Sequence, residues 1–161
     1  LVFKALENVR SDWTALAKSF QEQLYLKGFQ NESVESYIGD TIQNLTSGFY
    51  DHQLIYKKRL RQNLEDYQKT QPPHVKAAHQ LPPREKEKLH RGSTIHYLQT
   101  TQGPMPVDDN GKYYNRGAGN KSPRIDYQHY IDKQLKPVAD GILQFSDCDF
   151  DELANRQISL F

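Results

Sequence analysis

The sequence predicts an α+β fold that is mainly helical, with one small strand element. Three observations carry this. Two stretches near the start repeat apolar residues every three to four positions, which is the helical period. A third such stripe closes the sequence around Tyr127–Ile142. Between them Thr94-Ile95-His96-Tyr97-Leu98 is rich in β-branched and aromatic residues and reads as a strand. With 161 residues the chain suits one domain or two small subdomains.

In order, Ser11 is placed to cap a helix carrying Trp13, Leu16, Ala17, Phe20 and Leu24, with Gly28 as its end and Lys18 and Lys27 in its later turns. A second helix starts near Asn31 or Ser33, carries Val34, Tyr37, Ile38, Ile42 and Leu45, and stops at Gly48. The connection is short, so the two are expected to pack side by side. Leu54-Ile55-Tyr56-Lys57-Lys58 reads as a strand or extended segment, and Leu64–Tyr67 as a brief turn or helix. Pro72-Pro73 opens a helix through Ala78, because proline is tolerated in a first turn. Residues 84–90 are charged and read as an exposed loop. The strand at Thr94–Leu98 leads to a turn at Gln102-Gly103-Pro104, and the Gly-, Pro- and Asn-rich residues 103–124 read as a long flexible loop. Pro137 lies inside the last helical stripe (Tyr127, Tyr130, Ile131, Leu135, Val138, Ile142) and should kink or stagger it.

Composition narrows the function. No apolar run is long enough to span a bilayer, and no secretory signal opens the sequence, so no membrane partner is expected. One cysteine, Cys148, leaves no internal disulfide and no cysteine metal cluster; a reducing cytoplasm is the default. The sequence starts abruptly at Leu1-Val2-Phe3, and Met105 is its only methionine, which fits a C-terminal piece of a longer chain. The net charge of +1 hides a strong asymmetry. Residues 57–91 hold ten Lys/Arg against four Asp/Glu, whereas 145–156 hold four acids and one Arg. A basic middle suits a polyanion, and an acidic end suits a second partner.

Four separated blocks resemble family B DNA polymerases. Glu7-Asn8-Val9-Arg10-Ser11-Asp12-Trp13 is similar to the block where that family's palm hands over to the thumb. Tyr67 with Pro72-Pro73-His74-Val75-Lys76-Ala77-Ala78 resembles its thumb segment. Arg91-Gly92 with Ile95 and Tyr97 resembles the thumb strand, and Asp126-Tyr127 with Tyr130-Ile131, Gln134-Leu135 and Pro137 its closing helix. The likeness is nearest to the family's bacterial branch, whose repair and translesion type the resemblance also implies. Residues 111–122 match no family block.

The resemblance implies a palm remnant over 1–10, a duplex-binding thumb over 11–145 and an acidic tail over 146–161. The last five residues, Gln157-Ile158-Ser159-Leu160-Phe161, resemble the motif by which bacterial replication and repair proteins dock on the β sliding clamp. The alternative for these residues is the end of a docked terminal helix. Mg2+ is implied for the parent polymerase's palm, and no cofactor is expected in these residues. The palm's paired catalytic aspartates and the exonuclease carboxylates are missing from the sequence, so the chain alone is expected to be inactive. Asp108-Asp109 stand in a Pro/Gly loop and the histidines are scattered, so neither set reads as metal ligands.

Primer–template duplex is the expected partner of the basic middle. Lys57, Lys58, Arg59, Arg61, Lys76 and Arg91 are the expected phosphate contacts, with Tyr67 and His74 beside them. The alternative is a solvated charged face, and Tyr67 and Tyr97 also suit a core. For the tail, Gln157, Ile158, Leu160 and Phe161 are the expected clamp contacts. Two competing classes remain: a free-standing clamp-binding adaptor that binds no DNA, and an independent small enzyme, for which no catalytic constellation is present.

Overall fold

The computed structural model describes residues 13–30, 33–69, 71–114, 123–143 and 149–158, with backbone only for 157 and 158. Its fold is α+β and mainly helical, as expected. The chain divides into two compact units, residues 1–54 with 127–161 and residues 55–126.

The helical unit begins with α1 (Ala15–Phe29), α2 (Val34–Thr46) and a single 3-10 turn at Asp51–Gln53. Thr14, not Ser11, is the N-cap of α1: its hydroxyl accepts from the Ala17 N–H at 3.3 Å. Ser11 lies outside the described residues. Trp13 therefore precedes the helix, although it is buried as expected. Gly28 does not end α1; the helix runs on to Phe29 and is capped by Gln30. The apolar stripe Leu16, Ala17, Phe20 and Leu24 is buried throughout.

Ser33 caps α2 by accepting from Ser36 N–H. At its other end the Gly48 N–H reaches the Leu45 carbonyl and the Phe49 N–H reaches the Asn44 carbonyl, both within 3.1 Å. This paired pattern is the Schellman stop, and it needs the left-handed φ of 90° that Gly48 adopts. Phe20 stacks on Tyr37 at 5.8 Å, joining α1 to α2.

The closing helix carries the stagger that Pro137 predicts. α5 (Tyr127–Tyr130) passes into a π turn at Ile131–Leu135 and then α6 (Lys136–Leu143). The Lys136 N–H bonds the Ile131 carbonyl five residues back. The wider turn lets the chain carry Pro137, whose missing N–H and ring are incompatible with a regular turn. Gln134, on the π turn, is buried, and its Oε1 accepts from both the backbone N–H and the hydroxyl of Thr14 at 2.9 and 3.0 Å.

The tail does not read as a free peptide over its described part. α7 (Phe150–Ile158) buries Phe150, Leu153 and Ala154, packs on α2 and α6, and is tied by Lys136 to Asp151 at 3.0 Å. The acidic residues Asp151 and Glu152 sit in its first turn, where the helix dipole favours them. α7 belongs to the same unit as α1 and α2.

The second unit is a three-stranded antiparallel sheet in sequence order, β1 (Tyr56–Arg59), β2 (Thr94–Thr100) and β3 (Gly103–Pro106). α3 (Pro73–His79) packs on β2 and β3. Val75, Ala77 and Ala78 of α3 meet Leu60, Ile95 and Tyr97 in its core. Two sequence expectations fail here. Residues 83–87 form a short helix, α4 (Pro83–Glu87), not a loop, because a second Pro-Pro pair again supplies a preset first turn. Of the flexible loop expected over 103–124, residues 103–114 are ordered instead into a strand and a turn, and 115–122 lie outside the described residues. Gly103, at φ 102°, and Thr101-Gln102 make a tight reversal into β3. Val107 then bridges Tyr113 around a turn in which Asp108 Oδ1 accepts from the Asn110 and Lys112 N–H groups. Ile125 bridges Thr100 and returns the chain to the sheet.

Candidate nucleic-acid interface

All eight residues expected to meet DNA fall in the sheet unit, so their geometry is internal to one compact body. Lys57, Lys58 and Arg59 form β1, Arg61 follows it, and Tyr67 ends the 3-10 turn Leu64–Asp66. His74 and Lys76 lie on α3, and Arg91 precedes β2.

The register divides these cations. Tyr56 stands opposite Tyr97 and Lys58 opposite Ile95, and both partners belong to the core under α3. Tyr56 and Tyr97 stack at 5.1 Å. Because successive side chains alternate, Lys57 and Arg59 point to the other face, against His96 and Thr94. The run Lys57-Lys58-Arg59 is therefore not one patch but is divided between opposite faces of a strand.

On the α3 face, the charges of Lys58 and Arg61 act on His74. The imidazole is 7% exposed, and its ring meets the Tyr67 ring edge-on at 6.3 Å. Its Nε2 is buried and has no hydrogen-bond partner. Leaving such a group unsatisfied costs about 1–3 kcal/mol. Burial first, then the positive charges of Lys58 and Arg61, push the imidazole below its ordinary range. The Tyr67 hydroxyl accepts from the Arg61 backbone N–H at 3.0 Å, which leaves its own proton to donate.

The Arg61–Asn63 segment is laced to the turn that carries Arg91. Leu60 and Ser93 share a backbone bond of 2.8 Å, as do Gly92 and Leu60. Asn63 Oδ1 accepts from the Arg91 N–H at 3.0 Å. Gly92, at φ 95°, makes the turn that this lacing requires. Arg61 and Arg91 are both exposed, at the same end of the unit. Lys76 is exposed on α3.

The opposite face is of mixed charge. His96 is pushed below its ordinary range by burial and by Lys57, and Asp109, 3.9 Å away, opposes the shift. A cavity of about 320 Å³ opens between α4, the start of β2 and residues 107–114, with Glu85, Lys88, His96 and Asp109 among its lining. Its carboxylates make that wall a poor place for phosphate. His96 was missed by sequence reasoning because only the β1–β2 register sets it beside Lys57.

The clamp residues are described only in part. Gln157 and Ile158 close α7, and Leu160 and Phe161 lie outside the described residues. Among the described residues, no three His, Cys, Asp or Glu side chains come together to hold a metal ion. The Mg2+ implied for a polymerase palm therefore has no fitting ligand set among them. None of the described helices is long and apolar enough to cross a membrane.

The comparisons with known proteins agree with this architecture. Residues 1–145 match the model of DNA polymerase family B. The chain belongs to that family. It is 46% identical to DNA polymerase II of Escherichia coli (strain K12), an alignment that covers 100% of this chain and 20% of the relative. It is 33% identical to DNA polymerase 2 of Aeropyrum pernix, over 86% of this chain and 17% of that one. The fold is similar to that of the family B DNA polymerase from the archaeon Pyrobaculum calidifontis, with a TM-score of 0.64 and 28% identity over 86% of this chain and 18% of that one. This family B chain thus spans a fifth or less of the length of these relatives.

Proposed function

We propose that this chain is the duplex-holding thumb of a DNA-directed DNA polymerase of the repair or translesion type. The observation that carries the proposal is the gathering of Lys58, Arg61, Tyr67, His74 and Arg91 in one compact unit, with Arg91 laced to the segment that follows Arg61. Phosphate contacts by long cations hold a duplex without reading its sequence. That is what a polymerase needs behind its active site, since the primer–template changes sequence at every step. Residues 1–10 are proposed as the end of the palm, and the polymerising chemistry belongs outside this chain.

The second part of the proposal is docking on a β sliding clamp through Gln157, Ile158, Leu160 and Phe161. Burying Leu160 and Phe161 in a partner's pocket contributes about 1.5–3 kcal/mol each. Ordering so short a peptide offsets part of that, which leaves an affinity on the order of micromolar. A weak tether is sufficient when clamp and thumb hold the same DNA, because effective concentration multiplies the two.

The test is binding of the 161-residue chain to primer–template duplexes of unrelated sequence. Equal affinities for all of them support the thumb. Clamp binding that is lost without residues 157–161, together with no affinity for any duplex, identifies a clamp-binding adaptor instead.

A further inference from the structure

We propose that the cavity beside the start of β2 is a binding site for a small organic cation, an ammonium or guanidinium group carried on an apolar stem. The inference does not use the duplex-holding reading. The cavity lies wholly within the sheet unit, and none of the eight expected DNA contacts lines it.

The cavity follows from a mismatch between two paired strands. β3 ends at Pro106, opposite Tyr97, and the Val107 N–H adds one more bond to the His96 carbonyl at 3.0 Å. The chain then turns around Asp108, whose Oδ1 holds the Asn110 and Lys112 N–H groups. Thr94 and Ile95 therefore run on past the end of β3. The notch left there is lined also by Glu85 of α4, by Leu81 and Leu89 on either side of that helix, and by Tyr114. It measures about 320 Å³, within the roughly 300–1,000 Å³ of small-molecule sites.

The lining selects the ligand. Leu81, Leu89, Ile95 and Val107 supply apolar surface, and Ile95 and Val107 are buried. Tyr114 adds an aromatic ring that is 36% exposed. Of the charged groups, Lys88 is already matched, with its Nζ 3.5 Å from Glu85 Oε1. Asp109 stands 3.9 Å from His96 Nδ1, too far for a hydrogen bond, and its side chain is 99% exposed. Lys57 of β1 acts on His96 but does not line the cavity. The carboxylates of Glu85, Asp108 and Asp109 all act on the Tyr114 hydroxyl, which burial first and then these charges hold above its ordinary range. Two lining carboxylates against one matched lysine favour positive charge and repel an anion. A neutral apolar molecule uses the floor and leaves Asp109 unused. A cation on an apolar stem uses both: the stem covers the aliphatic residues, and the head lies between Asp109 and the Tyr114 ring.

The experiment titrates the full 161-residue chain with n-hexylamine and follows Ile95, Val107 and Tyr114 by NMR. n-Hexanol and hexanoate are the neutral and anionic comparisons. The expected result is saturable shifts at all three residues with hexylamine, about tenfold weaker binding of hexanol, and no shift with hexanoate. Asp109→Asn lowers hexylamine affinity about tenfold and leaves hexanol unaffected. This variant keeps the turn, which Asp108 holds. Asp66→Asn, at an exposed carboxylate outside the cavity, changes neither affinity. Lysine blocked at both ends distinguishes the source of the cation. Affinity equal to that of hexylamine supports the site as a receptor for a partner's lysine side chain; binding of hexylamine alone supports it as a site for free amines. Equal affinity for hexylamine and hexanol overturns the proposal. So does an Asp109→Asn variant that binds hexylamine as before, or the lack of a saturable shift at the three residues. Duplex binding is measured separately and is untouched by any of these outcomes.

Discussion

At the residue scale, a few polar side chains fix the helical unit. Thr14 caps α1 and also gives two hydrogen bonds to Gln134, which joins the start of the first helix to the π turn 120 residues later. Thr14→Ala removes the cap and one of the two bonds. It should lower unfolding stability by roughly 1–2 kcal/mol, read as a reduced urea midpoint with an unchanged slope. Gly48 is a second such position. Its φ of 90° is one that side chains with a Cβ rarely adopt, and an added Cβ would also meet Asp51 Oδ2 at 3.4 Å. Gly48→Ala should cost about 1–2 kcal/mol in the same assay. The Gly48 stop was legible, because glycine after a periodic stretch marks a helix end. Gly28 carries the same signal and does not end α1, since the helix tolerates a glycine in its last turn when the cap lies at Gln30. Thr14 was not legible as the cap, because its second role depends on Gln134, and no local pattern reveals a partner so far along the sequence.

At the element scale, period decided what could be read. α1, α2 and the closing helix carry long apolar stripes, and most of the residues the stripes name are buried, although Val34, Tyr37, Tyr127 and Ile142 are half-buried and Gln21, Thr41, Gln134 and Leu143 are buried without belonging to a stripe. Tyr130 is fully buried at the head of the π turn. Tyr130→Asp should abolish the cooperative thermal transition, because it puts a carboxylate in place of a large ring at a fully buried position; a retained sharp melt would refute the packing described. β2 was legible from its composition. β3, with the sequence Gly-Pro-Met-Pro, was not: two prolines suit only an edge strand, and β3 is an edge strand. α4 was hidden by its charge, and α7 by its acidic first turn and a shorter stripe. The candidate site shows the same limit. The cations of β1 read as one run in the sequence, but their division between two faces depends on register with β2, which the sequence of β1 does not contain.

At the scale of the whole molecule, the charge asymmetry separates by unit. The basic run 57–91 lies in the sheet unit and the acidic end in the helical unit. Each unit then suits its own partner, duplex for one and a clamp for the other under the proposed function. Deleting residues 157–161 should leave duplex affinity of this chain unchanged. In a full polymerase that carries this segment it should shorten synthesis on clamp-loaded templates only, measured as product length with and without clamp. Equal shortening without clamp would refute the docking role. The central claim, a grip on phosphates by cations of the sheet unit, is tested most directly by the salt dependence of duplex binding. The account predicts that log K falls linearly with log salt, and that Lys58→Gln with Arg61→Gln reduces the slope by about 0.9 for each phosphate no longer neutralised. Binding insensitive to salt, or a slope unchanged by the double substitution, would contradict it.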